Sequence, residues 1–168
     1  MVGVGCASPA PPALEIRDLD DGGRTAAWLP LAPDGVFTLA FTHSMYGGSV
    51  VETYQVVADP GGAMRLQRSG VRTETGGAAE YYARYGNFRE EAGAWVVEAP
   101  PLLLAQLPVR VDRTGDPRVQ AAGRSLPLLD LVPDGHAIEI RPAYGVPSSE
   151  FQAPSPSARD HSELGTRN

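Results

Sequence analysis

The sequence predicts an all-β protein: one small antiparallel β-sandwich or barrel, with at most one short helix and a disordered C-terminal tail. Three observations carry this. Nineteen glycines and sixteen prolines in 168 residues punctuate the chain too often for long helices. Short runs of β-branched, aromatic and aliphatic residues alternate with polar ones at a period of two, the spacing of a half-buried strand. Turn signals separate those runs at short intervals, as in antiparallel sandwiches and small barrels. The length suits one domain, and a hydrophobic content of 42% is ordinary for a globular core.

Met1 to Ala13 is small, apolar and proline-rich, and reads as a leader or tether. The β-domain is expected over residues 14–142. "LEIRDL" and "TAAWLPL" are its first strands. In "FTLAFTHSMYGGSVVETYQVV", Phe37, Leu39 and Phe41 form one alternating face and Val50, Tyr54 and Val56 another. Gly47-Gly48 lies between them and suits a tight hairpin turn, since glycine takes φ > 0 without steric cost. "AMRLQRSGVRTE" follows the turn "DPGG". "FREE" and "AWVVE" flank the turn "AG", with Trp95 assigned to the core. "LLLAQLPVRVD" carries Pro108, which marks an edge strand or a bulge. "RSLPLLDLV" precedes the turn "PDG", and "HAIEIR" closes the domain. Residues 143–168 are rich in Pro, Ser and charge without periodicity, the composition of a disordered tail.

The hairpin also carries the candidate site. If Gly47-Gly48 is the whole loop, His43 faces Glu52 and Phe41 faces Tyr54, with the apolar residues of both strands on one face. Directly opposed side chains lie about 4.5–5.5 Å apart at Cβ, close enough for a hydrogen bond or ion pair. Three readings follow. The pair satisfies itself at the rim of the core. It forms a polar site for a ligand or partner, with Ser44 and Tyr54 beside it. Or His43 acts as a base oriented by Glu52, as in a small hydrolase. Ser44 is a poor nucleophile for that base, because neighbouring strand residues point to opposite faces.

"TGGAAEYYARYGN", Thr75 to Asn87, is the one long loop. Gly76-Gly77 permits close backbone approach, and Ala78 to Tyr85 suits a short helix capped by Gly86. Glu80 and Arg84 would pair weakly at i, i+4. Tyr81, Tyr82 and Tyr85 read as a lid over the core. His43, Glu52 and His136 are residue types that can bind a divalent metal, so a metal-binding protein using His43 and Glu52 stands beside the hydrolase as an alternative. Nothing fixes their mutual distance and there is no short ligand motif, so no metal or cofactor is assigned. A net charge of −6 without a basic run argues against nucleic acid.

The only cysteine, Cys6, excludes an internal disulfide. "VGVGCAS" resembles the end of a bacterial lipobox, with Gly5 as the small residue before Cys6 and Gly3 where leucine is usual. Either the true start lies upstream and Cys6 is lipidated, or the likeness is accidental. The first reading places the protein outside the cytoplasm, anchored to a membrane surface through lipid.

The hairpin resembles the bacterial domain of unknown function 1850. Its members carry an aromatic and "THS" or "HS" at a strand end, and then a "V-x-E-x-[WY]-x-V" strand. Here those positions are Phe41, His43 and Ser44, then Val50, Glu52, Tyr54 and Val56. "TGGAAE" stands where the family has a glycine motif like "GAGLP", and brings Gly76, Gly77 and Glu80 into the candidate site. It departs at Ala78, where the family has glycine, and at Glu80, where proline is common. "LPLLDLVPDGHAIEI" is similar to the closing strands. The resemblance spans roughly Gly35 to Arg141. It implies a small, exported, membrane-tethered β-domain, an accessory to tripartite solute transporters of the TAXI type. Its partners would be the membrane subunits of such a transporter or a small solute.

Overall fold

The alternation read from the sequence becomes strands in the computed structural model, which describes residues 11–84, 87–98 and 101–146. The first half of the chain forms β1 (Pro12–Asp18), β2 (Arg24–Pro30), β3 (Val36–Thr42), β4 (Ser49–Ala58) and β5 (Met64–Thr73). A short helix, α1 (Gly76–Ala83), follows. The second half forms β6 (Asn87–Glu91), β7 (Ala94–Glu98), β8 (Leu102–Leu104), β9 (Leu107–Arg110), β10 (Arg118–Ala121), β11 (Arg124–Pro127) and β12 (Ala137–Tyr144). The strands pair antiparallel in two sheets, as the sequence predicts. The small sheet runs β2-β1-β12-β9. The large sheet runs β11-β10-β3-β4-β5-β7-β6, with β8 added on β5.

The inner face of the large sheet is covered in two parts. Over one part Leu14 and Ile16 of β1 and Ile138 and Ile140 of β12 pack in one cluster with Phe37, Leu39, Tyr54, Leu66 and Val119 of the large sheet. Over the other part α1 lays Ala78, Ala79 and Tyr82 on Val50, Val71 and Val97. Burying an aliphatic side chain of this size stabilises by about 1.5–3 kcal/mol. Truncating Ile138, which is fully buried, should therefore cost about 2–5 kcal/mol.

The hairpin of β3 and β4 differs from the register expected. The last pair is Thr42 with Ser49, Leu39 faces Glu52, and Phe37 faces Tyr54. His43 is therefore not opposite Glu52. The loop takes in His43 to Gly48 and is closed within itself: the His43 N–H donates to the Gly48 carbonyl at 3.1 Å and the Gly47 N–H to the His43 carbonyl at 2.8 Å. Both glycines are left-handed, at φ +64° and +71°. A Cβ on Gly48 would lie 2.7 Å from Thr75 Cγ2, so the turn from β5 into α1 also demands glycine there. The shift is by an even number of residues, which is why the inward faces stay as predicted.

Other boundaries move too. "LLLAQLPVRVD" is two strands in different sheets, β8 on β5 and β9 on β12. Pro108 lies in β9, the edge strand of the small sheet, where its missing N–H is tolerated. "RSLPLLDLV" is a strand only to Pro127, and Leu128–Asp130 is a 3-10 turn that buries Leu128. β10 has no counterpart in the sequence reading. β12 runs past Pro142 to pair Tyr144 with Pro12. Trp95 is half-buried against the second cluster rather than central. The helix starts at Gly76 and ends at Ala83, two residues earlier at each end than expected. β1 takes in Pro12 and Ala13 of the expected leader. Residues 1–10 of the leader with Cys6, the capping Gly86, Tyr85 and most of the tail lie outside the described residues.

Candidate functional site

Glu52 interrupts an apolar face. Val50, Glu52 and Tyr54 alternate inward along β4, and all three are buried. Val50 belongs to the cluster under α1 and Tyr54 to the cluster between the sheets. Glu52, 6% exposed, stands at the seam between the two.

A carboxylate in that place is costly unless it is paired and hydrogen-bonded. Three elements supply its partners. From β4 itself the Tyr54 hydroxyl donates to Glu52 Oε2 at 2.7 Å, its ring stacked on Phe37 at 5.3 Å. From α1 the Tyr82 hydroxyl is set beside the same carboxylate and feels its charge. From β5 Arg68 Nη1 approaches Oε1 to 3.4 Å. The Arg68 and Glu52 side chains are 13% and 8% exposed. Burial first, then the Glu52 charge and its hydrogen bond, push both tyrosine hydroxyls far above the usual phenol range. Both remain protonated throughout the neutral range, Tyr54 as the donor to Glu52.

Arg68 points inward because of a β-bulge. Tyr54 pairs with Arg68 and Thr53 with Gly70, which leaves Ser69 as the extra residue. Before the bulge Leu66 and Arg68 are on the inward phase, and after it Val71 and Thr73 are. The Arg68 guanidinium carbon also lies 5.6 Å from the centre of the Tyr82 ring, a cation–π distance. Its Nε is buried and has no hydrogen-bond partner among the described residues.

Two cavities meet at this group. One, of about 540 Å³, is lined by Glu52, Arg68, Tyr81, Tyr82, Arg84 and Leu102, with Pro101. The other, of about 390 Å³, reaches Glu52, Tyr54 and Arg68 from the side of β9 and includes His43, Ser44 and Arg110. Both volumes fall in the range of small-ligand sites.

The other candidates fall into place around the cleft. His43 and Glu52 line the same cavity without forming the expected pair. His43 Nδ1 instead accepts the Met45 N–H at 3.3 Å, and its ring packs on Tyr46 at 4.9 Å and edge-on to Tyr81 at 5.6 Å. Tyr81 in turn meets Tyr82 at 5.5 Å, so an aromatic row joins the loop to the buried site. Ser44 is exposed in the loop, and no nucleophile is hydrogen-bonded to His43 among the described residues. Gly77 has a packing role, since a Cβ there would lie 2.7 Å from Tyr46 Cδ1, whereas one on Gly76 would meet the Trp95 ring at 3.8 Å, an ordinary contact. Glu80 is exposed on α1 and is not paired with Arg84 among the described residues. Tyr82 is the buried member of the expected lid, while Tyr81 is half exposed.

Sequence reasoning missed Arg68 and the role of Tyr82. A signal for Arg68 was present. The apolar phase of "MRLQRSGVRT" changes from Leu66 to Val71 across Ser69-Gly70, and Arg68 sits on the inward phase before the break.

His136 does not approach His43 or Glu52 as a ligand set. Its Nδ1 lies 3.0 Å from Asp18 Oδ2, and Asp18 is buried. With Asp20 these residues have potential ligand atoms within 4.8 Å of one another, donors of a type that suits a divalent cation. The same contact serves as a hydrogen bond that ties the end of β1 to the start of β12.

Among the described residues no helix is long and apolar enough to cross a membrane. Comparison of the chain with protein-family models, with curated proteins and with solved structures finds no match.

Proposed function

We propose that this is a non-catalytic binding domain that holds a small solute in the cleft at Glu52 and Arg68. The observation that carries the reading is the placement of Glu52. A buried carboxylate, held by a tyrosine and an arginine, lines two adjoining cavities at the seam between the apolar clusters. Fixed polar groups in an otherwise apolar concavity are the usual make-up of a ligand pocket. The hairpin's likeness to domain of unknown function 1850 and the lipobox-like start extend the proposal. The domain is exported, tethered through Cys6, and works as an accessory to a solute transporter. A hydrolase using His43 and Glu52 is not favoured, because His43 is held by its own loop and not by Glu52.

The direct test is thermal unfolding of the full chain against small organic solutes of each charge type. A ligand confined to the folded state stabilises it by about 2.7 kcal/mol at 100 times its dissociation constant. A shift that disappears when Leu102→Trp fills the cleft supports the reading. Absence of any shift across the panel rejects it. For the tether, membrane fractionation with and without Cys6→Ala decides: retention at the membrane in both would reject anchoring through that residue.

A further inference from the structure

We infer that the cleft selects an organic monoanion with a flat apolar body, its anionic group held by Arg68 and Arg84; the inference rests on the ligand-binding reading above.

The charge of the lining gives the sign. Arg68 and Arg84 against Glu52 leave the larger cavity at a formal +1, in a chain whose net charge is −6. A positive lining on an acidic protein favours an anion locally against the field of the whole molecule.

The state of each group decides which of them is free to bind. Glu52 is already used: it accepts from Tyr54, lies beside the Tyr82 hydroxyl and faces Arg68. A cationic ligand would compete with three partners for it. Arg68 is under-used. Its contact with Glu52, at 3.4 Å, is long beside the 2.7–2.9 Å typical of charge-assisted N–H···O bonds. Its Nε is buried without a partner among the described residues. Buried donors are rarely left unsatisfied, and one beside open volume is available to an occupant. Arg84, at the C-terminal end of α1, has no ion-pair partner among the described residues. An arginine fork suits a planar carboxylate, and a sulfonate offers the same chemistry.

The walls give the body. Tyr81 and Leu102 are large apolar side chains left half in solvent beside this cavity, and the ring of Tyr82 forms part of its lining. A flat apolar group lying between Tyr81 and Leu102 would cover surface that the protein itself leaves open. The net lining charge of one sets the ligand charge at one, since a second anionic group would meet Glu52.

The experiment is calorimetric titration of the full chain with matched probes on two ring bodies. On the indole ring these are indole-3-acetate, indole-3-acetamide and tryptamine. On the benzene ring they are benzoate, benzamide and benzylamine. Ethanesulfonate and inorganic phosphate distinguish an anion with a body from an anion alone. An aromatic acid is expected to bind at least about ten-fold more tightly than its amide, and the amine more weakly still. Arg84→Gln, a surface change that leaves the core intact, is expected to weaken the acid about ten-fold and to leave the amide unchanged. Arg68→Gln should abolish acid binding, with circular dichroism confirming the fold.

An amide or amine that binds as tightly as the acid overturns the anion assignment while leaving the cleft as a binding site. Equal binding of phosphate and the aromatic acids overturns the flat body. An acid whose affinity is unmoved by Arg84→Gln overturns the role of that arginine and with it the proposal. Failure of all probes of every charge overturns the ligand-binding reading itself.

Discussion

Glu52 and Glu139 are both buried carboxylates, and they are buried in different ways. Glu139 lies on β12 between Ile138 and Ile140, which face the core, so its side chain is on the outer side of the small sheet. Arg17 Nη1 reaches its Oε1 at 3.3 Å and Arg141 Nη2 at 2.6 Å. Those two arginine side chains are 30% and 39% exposed, so their charges remain partly hydrated while their stems cover the carboxylate. Arg17 is the cross-strand neighbour of Glu139 and Arg141 is two residues along the same strand. The group is a local device of one sheet face. Glu52 instead has one arginine, more deeply buried and more distant, and depends on tyrosines from a strand and a helix. Tyr54 is two residues along the same strand and Arg68 is on the neighbouring β5, but Tyr82 is brought by the tertiary fold, and all three line a cleft. Burial of a carboxylate is therefore not itself the mark of a site. The mark is a carboxylate held by several elements beside open volume.

The comparison breaks most easily at Arg68. Removing one member of a buried pair leaves the other charge uncompensated, at a cost of about 3–5 kcal/mol. Arg68→Met is expected to fall in that range, read as the change in urea midpoint at constant slope. Tyr54 keeps Glu52 hydrogen-bonded, which places the result toward the lower end. A loss below about 1 kcal/mol would mean that Glu52 is as easily satisfied as Glu139, and the contrast would fail.

Parts of this contrast were legible in the sequence. The alternation of Val50, Glu52 and Tyr54 placed a carboxylate on an apolar face, and the structure puts it there. The even register shift preserved that inference while moving His43 away from Glu52. The length of the loop was not legible, because residues far along the chain decide it. Glu74 takes the Ser49 N–H at 2.9 Å, Thr75 crowds Gly48, and Tyr46 lies on Gly77. The bulge that turns Arg68 inward left a trace as a change of apolar phase, read instead as one continuous strand. The division of "LLLAQLPVRVD" left none, since β8 and β9 differ only in which sheet accepts them. β10 escaped because "RVQA" has two inward residues, Val119 and Ala121, too few to show a period.

Alkaline titration sharpens the comparison next. The chain contains no lysine, so above pH 9 its tyrosines dominate the side-chain titration. Tyr54 and Tyr82 keep their protons in the folded state well above the unfolded phenol value of about 10. The folded state thus binds more protons than the unfolded state above pH 10, and stability falls as pH rises. Their stabilising effect is complete below pH 10 and is lost toward the folded values. For two such tyrosines the loss between pH 8 and 11 is about 3 kcal/mol. Urea midpoints across that interval check it, with a Tyr54→Phe, Tyr82→Phe double variant expected to flatten the profile. A wild-type profile flat to pH 11 would contradict the burial of both hydroxyls against Glu52.

A smaller effect isolates one hydroxyl. Tyr54→Phe keeps the ring on Phe37 and removes only the donor to Glu52. A hydrogen bond to a charged group contributes about 1.5–3 kcal/mol, and Arg68 and Tyr82 remain as partners. The expected loss is about 1.5 kcal/mol at pH 7, measured by the same urea midpoint. If ligand affinity falls more than stability does, Glu52 is oriented by Tyr54 for binding and not merely neutralised.

The smallest effect belongs to the other carboxylate. Arg141→Met leaves Glu139 with Arg17 on its cross-strand side, and the methionine stem still covers the strand. Because Arg141 is more than a third exposed, solvent screens its charge and the loss should be about 1 kcal/mol or less. Salt tests the reason as well as the size. The Arg141 contribution should shrink further in 1 M salt, where screening reaches within about 3 Å, while the Arg68 contribution should persist. If the two variants instead lose stability equally and respond equally to salt, the solvent-facing and inward carboxylates are the same kind of group. The position of Glu52 would then say nothing about a ligand. If they separate, the energy of the inward pair is insulated from bulk solvent, the condition under which a bound anion would feel Arg68 at full strength.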